Sequence, residues 1–366
     1  MTLPESGRVD VSKLAAVFSD TTNSYKFYWL LAILDCLRER EQPRLTKTEL
    51  SLRMLASAWY PLDYFKLSFG KQDGFQPIAR FISTFITVDN SPKAPSLFAQ
   101  LAIRQGAADL AVLQSKLQVL LNWVPYRFIR PFFAEQTRGL PDQKVNALIK
   151  ALANESSVAL YRFDDDSIYL NEAWFSYLKE HHAILRGFTY WHLLKFLQKN
   201  NPNVVGLSEK LEKPSARNFT VANKFWKTYL TDVGSLTCIY SGQQLTKANF
   251  SLDHFLPWSF VAHDQLWNLV PTSIEVNSAK SNWLPSLDLY FEAYAQLQYE
   301  AFQYHSDKGH TTLLEDYHLL FAQHLLDVRK LSIQVFHEVL GKQVLPHIQI
   351  AKNLGFSYPY VFKATS

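Results

Sequence analysis

The sequence predicts a mostly α protein with one small ββα element embedded in its second half. Three observations point there. The 366 residues include only 12 Gly, and Leu, Ala and Gln are abundant, so turns and strands are the minority. Apolar residues recur at helical spacing along most of the chain. Runs with strand character are confined to residues 156–170 and 251–272. At about 100–200 residues per domain the chain holds two or three domains and can bury a large core. Its 48% hydrophobic and 14% aromatic content excludes disorder as its general state.

Residues 1–155 form the first helical region, with a recognition or regulatory role expected. "DVSKLAAVF" opens it, and "SYKFYWLLAILDCLRER" follows with Ser24 placed to cap and Leu30, Leu31, Leu34 and Leu37 on one face. The apolar run at 27–37 is shorter than the about 20 residues a bilayer requires and contains Asp35, so it reads as a buried helix. Helical periodicity resumes over 96–124 and is interrupted by Pro125 and Pro131.

Residues 156–230 form the second region. "SSVALYRFDDDSIYL" reads as a hairpin turning at Asp164, Asp165 and Asp166, a solvated turn and not a metal site, because consecutive side chains seldom converge on one ion. Residues 172–199 are helical; His181, His182 and His192 carry no assigned role there. A basic arm follows, in which Lys210, Lys213, Arg217, Lys224 and Lys227 face only Glu209 and Glu212. In the third region, 231–286, the balance reverses, with Asp232, Asp253, Asp264 and Glu275 against Lys247 and Lys280. A basic arm before an acidic site suits phosphate contacts from the flank, with a solvated helix face as the alternative reading of these lysines. Residues 287–366 are helical and aromatic-rich again.

The net charge of +4 permits a polyanionic partner without demanding one. Two cysteines, Cys36 and Cys238, make no disulfide framework, and the opening "MTLPESGRVD" has no signal-peptide character, so a reducing cytoplasm is expected.

The informative stretch is "SLDHFLPWSF" at 251–260, followed by "WNLVPTSIEVNSAKSN" at 267–282. Asp253 and His254 are strand neighbours and face opposite sides unless the strand ends there, an ending that Pro257 supports. "NLVPT" can pair with that strand, and a helix through "EVNSAKSN" can lay Asn277 across the pair. Phosphodiester hydrolysis needs a hard cation, a base for the attacking water and relief of charge on the leaving oxygen. Mg²⁺ (or Mn²⁺) keeps several waters, so the oxygens of Asp253 and Asn277 suffice as protein ligands. His254 has the right pKa range for the base. Asn268 is expected to hold the loop after the first strand, and so the imidazole, by bonds to backbone.

"LDHFLPWSF…HDQLWNLVP…VNSAKSN" resembles the HNH endonuclease superfamily with its ββα-metal fold, over about residues 236–285. The version ending in Asn is similar to the HNH domain of RNA-guided CRISPR nucleases. The resemblance implies Asp253 and Asn277 as metal ligands, His254 as general base, Asn268 as the structural Asn and Lys280 as a phosphate contact. Arg217, Lys224 and Lys227 are added as candidate nucleic-acid contacts from the arm. Many relatives with this core carry a four-cysteine zinc knuckle; here "CIYS" and "SIEV" keep only Cys238, so no structural zinc is expected and Cys238 is a buried remnant. Asp264 is expected to cap the turn carrying "QLWN", and Trp258 and Trp267 to pack in the core.

These residues favour a metal-dependent DNA endonuclease, in a bacterial restriction or antiphage setting by family inference, with other subunits of a defence system as possible partners and no membrane association. A binding or scaffold subunit with an inactive core and an RNase are the alternatives; the ββα site does not itself choose the sugar.

Overall fold

The computed structural model describes residues 2–90, 95–102, 108–212 and 217–363. The chain divides into two compact units, 1–202 with 207–214 and 203–206 with 215–366. Helices dominate both, as the composition requires.

In the first unit the apolar run at 27–37 lies in α1 (Tyr25–Glu39), whose residues from Phe27 to Leu34 are buried on every side. A helix apolar all round belongs at the centre of its unit. Asp35, the charge in this run, is paired by Arg186. Ser24 stands at the N-cap position, but its backbone N–H and hydroxyl both donate to Asp73, at 2.8 and 2.6 Å, and its side chain makes no cap bond. Strand β1 (Arg44–Thr46) leads into α2 (Lys47–Trp59), which Thr46 caps by accepting from the Glu49 N–H. Next come α3 (Phe75–Phe85), α4 (Leu97–Ala102), α5 (Ala108–Leu121), the short α6 (Val124–Phe128) and α7 (Asp142–Glu155). Part of the helical pattern expected at 96–124 lies outside the described residues.

The hairpin expected at 156–170 is present as β2 (Tyr161–Phe163) and β3 (Ser167–Leu170), and β1 joins it as a third antiparallel strand in the order β1-β3-β2. The three-aspartate turn is exposed; Arg44 bridges Asp164 and Asp166 at 3.4 and 2.9 Å, and Lys47 donates to the carbonyls of Asp164 and Asp165. Helices α8 (Glu172–Glu180) and α9 (His182–Asn200) complete this unit's long elements. The hairpin therefore folds with the first helical region.

The second unit opens with α10 (Thr220–Val233), which buries Ala222, Phe225, Trp226, Tyr229 and Leu230 on one stripe and ends at Gly234, where a φ of +82° favours glycine. Two antiparallel hairpins follow: β4 (Ser235–Thr237) with β5 (Gln244–Thr246), and β6 (Ser251–His254) with β7 (Leu269–Thr272). A short helix, α11 (Trp258–Val261), lies between β6 and β7, and α12 (Ile274–Lys280) follows β7. The C-terminal helices α13 (Leu287–Asp307), α14 (Glu315–Phe321) and α15 (Ile333–Asn353) share one hydrophobic core with these hairpins, so 231–286 and 287–366 pack as one body.

Candidate active site

The site is built on β6, β7 and α12. Register pairs Ser251 with Thr272, Asp253 with Val270 and His254 with Leu269, and β6 stops at His254. Asn268 causes the stop. Its carboxamide accepts from the Leu256 N–H at 2.8 Å and donates to the Leu256 carbonyl at 2.9 Å, while its own carbonyl accepts from the Phe255 N–H. One fully buried side chain thus replaces the ladder bonds that the departing strand gives up. From the other side α13 braces the loop: Tyr294 stacks on Phe255 at 3.9 Å and donates to the Trp267 carbonyl, and Gln298 donates to the Leu269 carbonyl at 3.0 Å.

Ending the strand sends the two neighbouring side chains to different partners. The Asp253 carboxylate accepts from the Tyr240 hydroxyl at 3.0 Å and from the Lys280 ammonium, whose Nζ lies 3.0 Å from Oδ2 and 3.2 Å from Oδ1. Lys280 also donates to the His254 carbonyl at 2.6 Å. The His254 ring turns to Asp264, Nε2 to Oδ1 at 2.8 Å, with the Phe219 ring 5.7 Å away. A carboxylate only accepts, so Nε2 carries the proton and Nδ1 carries the lone pair. Burial pulls the His254 pKa below its ordinary value, opposed by the hydrogen bond and charge of Asp264, with Arg217 adding to the lowering. The imidazole is therefore neutral near pH 7, the state a base requires. Burial likewise lowers Lys280, with Asp253 opposing, and raises the Tyr240 hydroxyl.

Asn277 and Lys280, one turn apart on α12, both reach β6. The Asn277 Nδ2 donates to the Ser251 hydroxyl at 2.9 Å and the Leu252 carbonyl at 3.0 Å. Among the described residues no group of three or more His, Cys, Asp or Glu side chains is placed to hold a metal. The Asp253 carboxylate is an oxygen ligand that suits a hard cation keeping its waters, while the Asn277 amide meets β6 through its nitrogen. A cation on Asp253 would share or displace the Lys280 ammonium.

Several expectations need correction. Lys280 does not face phosphate: it is 0% exposed and spent on Asp253 and the His254 carbonyl. Lys210 is fully buried in the first unit, where burial pulls its pKa down to about 7, so it is no surface contact. Lys213 lies outside the described residues. Arg217 is exposed, its guanidinium 5.6 Å over the Trp258 ring, and Lys224 and Lys227 are exposed on the face of α10 away from the core. Asp264 does not cap its own turn; the Leu266 N–H donates to Asp316 of α14 at 2.7 Å, which leaves Asp264 for His254. Sequence reasoning missed this pair, and the signal available was a carboxylate in the loop that closes over a candidate base. Trp267 is buried and Trp258 half-buried. Cys238 is buried with its sulfur 3.3 Å from the Thr272 hydroxyl, and Ser273 caps α12 by accepting from the Val276 N–H, so these two positions serve packing and capping.

Comparison with known families gives a match at residues 238–286 to the family described as HNH endonuclease. Neither the curated proteins nor the solved structures compared give a match. The chain thus carries an HNH endonuclease domain, which implies nuclease activity on a nucleic acid. Among the described residues no helix is long and apolar enough to cross a membrane.

Proposed function

We propose that the HNH domain of this chain hydrolyses phosphodiester bonds in DNA with the help of a divalent cation, Mg²⁺ or Mn²⁺. The observation that carries the reading is the His254–Asp264 pair set beside Asp253 at the end of β6. In the reaction Nδ1 of neutral His254 takes the proton from the attacking water, and Asp264 stabilises the imidazolium that forms and fixes its orientation. Asp253 and Asn277 would hold the cation, whose charge would stabilise the phosphate as negative charge builds on it. Asn268 positions the loop and touches no reacting atom. Arg217, Lys224 and Lys227 would supply phosphate contacts, and a restriction or antiphage setting, with further subunits, fits a nuclease carrying a large helical unit.

A second reading, a docking subunit without cleavage, draws on one observation: Lys280 neutralises Asp253, and Asp253 and His254 are only 3% and 4% exposed. Incubating the purified chain with plasmid DNA and with structured RNA, each with Mg²⁺, Mn²⁺ or EDTA, separates the readings. Cation-dependent DNA cleavage is the expected outcome; cleavage of RNA alone moves the substrate to RNA, and binding without cleavage of either supports the docking reading.

A further inference from the structure

The first unit contains a polar cavity of about 370 Å³, lined by the loop and first turn of α1 and by α6 with its flanks. Three cations meet there. The Lys26 ammonium donates to the carbonyls of Val17 and Asp20, at 3.0 and 2.7 Å. Burial first, and then the charges of Arg130 and Arg127, pull its pKa down against the opposing charge of Asp20. Compensation is incomplete. Asp142 takes Arg127 through Nη1 at 2.8 Å, but the Arg127 Nε is buried with no hydrogen-bond partner among the described residues. Arg130 forms no ion pair among them and makes one long bond, 3.5 Å, to the Thr137 carbonyl. Buried donors are ordinarily satisfied, so an unpartnered guanidinium N–H beside two further cations is suited to bind an anion.

The remaining lining adds a second requirement. Trp123 lines the cavity, is 46% exposed, and has the Arg127 guanidinium 5.5 Å from its ring. The Thr21 and Thr22 side chains also line it, and among the described residues neither hydroxyl is hydrogen-bonded. An inorganic anion would use the cations and leave the indole idle, whereas a base stacks on an aromatic ring whatever its identity. The volume lies at the lower end of the roughly 300–1,000 Å³ typical of small-molecule sites.

We propose that this cavity binds the phosphomonoester of a nucleotide, the phosphate between Lys26, Arg127 and Arg130 and the base against Trp123. The ligand is either a free mononucleotide or the phosphorylated end of a strand. The inference is independent of the nuclease reading, since every residue it uses lies in the first unit.

Calorimetry on the full chain in EDTA at low salt, which prevents cation-dependent cleavage, tests it with 5′-AMP, adenosine, inorganic phosphate, and a short oligonucleotide with a 5′-phosphate or a 5′-hydroxyl. The expected result is saturable binding of 5′-AMP or of the 5′-phosphorylated oligonucleotide, at least tenfold tighter than adenosine or the 5′-hydroxyl oligonucleotide respectively. Tighter 5′-AMP identifies a free nucleotide, and tighter oligonucleotide a strand end. Arg130→Gln should weaken the phosphorylated ligand at least tenfold, and Trp123→Ala should weaken it while leaving inorganic phosphate unchanged. Both positions are partly exposed, and an unaltered melting temperature establishes that each variant folds. The proposal is overturned if ligands with and without phosphate bind alike, if none binds, or if both folded variants bind as the parent does.

Discussion

At the residue scale the site rests on side chains whose hydrogen bonds are directed at backbone or at each other, and this is why Asn268 was legible and Asp264 and Lys280 were not. Asn268 could be read from the sequence because a carboxamide at that distance after a strand end has one evident use, to satisfy the turn. It is fully buried and serves both polar groups of Leu256. Asn268→Ala should therefore cost roughly 1–3 kcal/mol by leaving buried backbone groups unpaired, and should lower cleavage because the His254 loop relaxes. Urea unfolding beside a cleavage assay checks both, and a variant as stable and active as the parent would remove Asn268 from its role. Asp264 was misread because local sequence offers every loop carboxylate a capping role. Only the closed loop reveals that Asp316, 52 positions later, takes the Leu266 N–H instead.

At the element scale, short-range pattern predicted the strands of the site hairpin and the helices around it, but pairings set by distant segments were invisible. Strand β1 joins β3 across more than a hundred residues, and nothing in "RLT" announces it except the Arg44 charge that meets Asp164 and Asp166. The β4–β5 hairpin also escaped, its strands being three residues each. Helix α12 makes the sharpest energetic prediction, because its Lys280 and the Asp253 carboxylate are buried together. Lys280→Met leaves a buried unpaired charge and should cost about 3–5 kcal/mol, whereas adding Asp253→Asn to it should cost less than the sum of the two single changes. Mg²⁺ should raise the melting temperature of Lys280→Met more than that of the parent, since a cation on the carboxylate replaces the lost ammonium. Equal shifts would mean that Asp253 does not take a cation. Helix α13 supplies a pH dependence. His305 is buried, donates from Nε2 to the Phe225 carbonyl at 3.1 Å, and is held down to about 4 by burial, with the Phe225 carbonyl opposing and His310 adding to the lowering. Its folded pKa lies below the unfolded value of about 6.5, so its contribution to stability is complete above about 6.5 and is lost as pH falls toward 4. Urea midpoints should decline through that window in the parent and decline less in His305→Gln; parallel declines would assign the acid sensitivity to other groups.

At the scale of the whole molecule, composition predicted a helical protein because scarce glycine and helical spacing run through both units, but it did not reveal where the units divide. The basic arm was read as one stretch, yet burial takes Lys210 out of it and leaves Arg217, Lys224 and Lys227 at the surface. If those three track phosphates, each contact contributes about 0.9 to the slope of log K against log salt on duplex DNA. Reversing Lys224 and Lys227 to Glu should flatten the slope by about one to two units and weaken binding across sequences alike. An unchanged slope would return both lysines to the role of solvated surface. The central claim, that the HNH domain acts through a His254–Asp264 base, is tested most directly by single-turnover cleavage of end-labelled duplex DNA at saturating, folded enzyme with Mg²⁺. The account predicts cleavage by the parent, a loss of roughly 10²–10⁴-fold in His254→Ala, and a smaller but clear loss in Asp264→Asn, which keeps the shape of the pair and removes its charge. Parent-like cleavage by folded His254→Ala would contradict it.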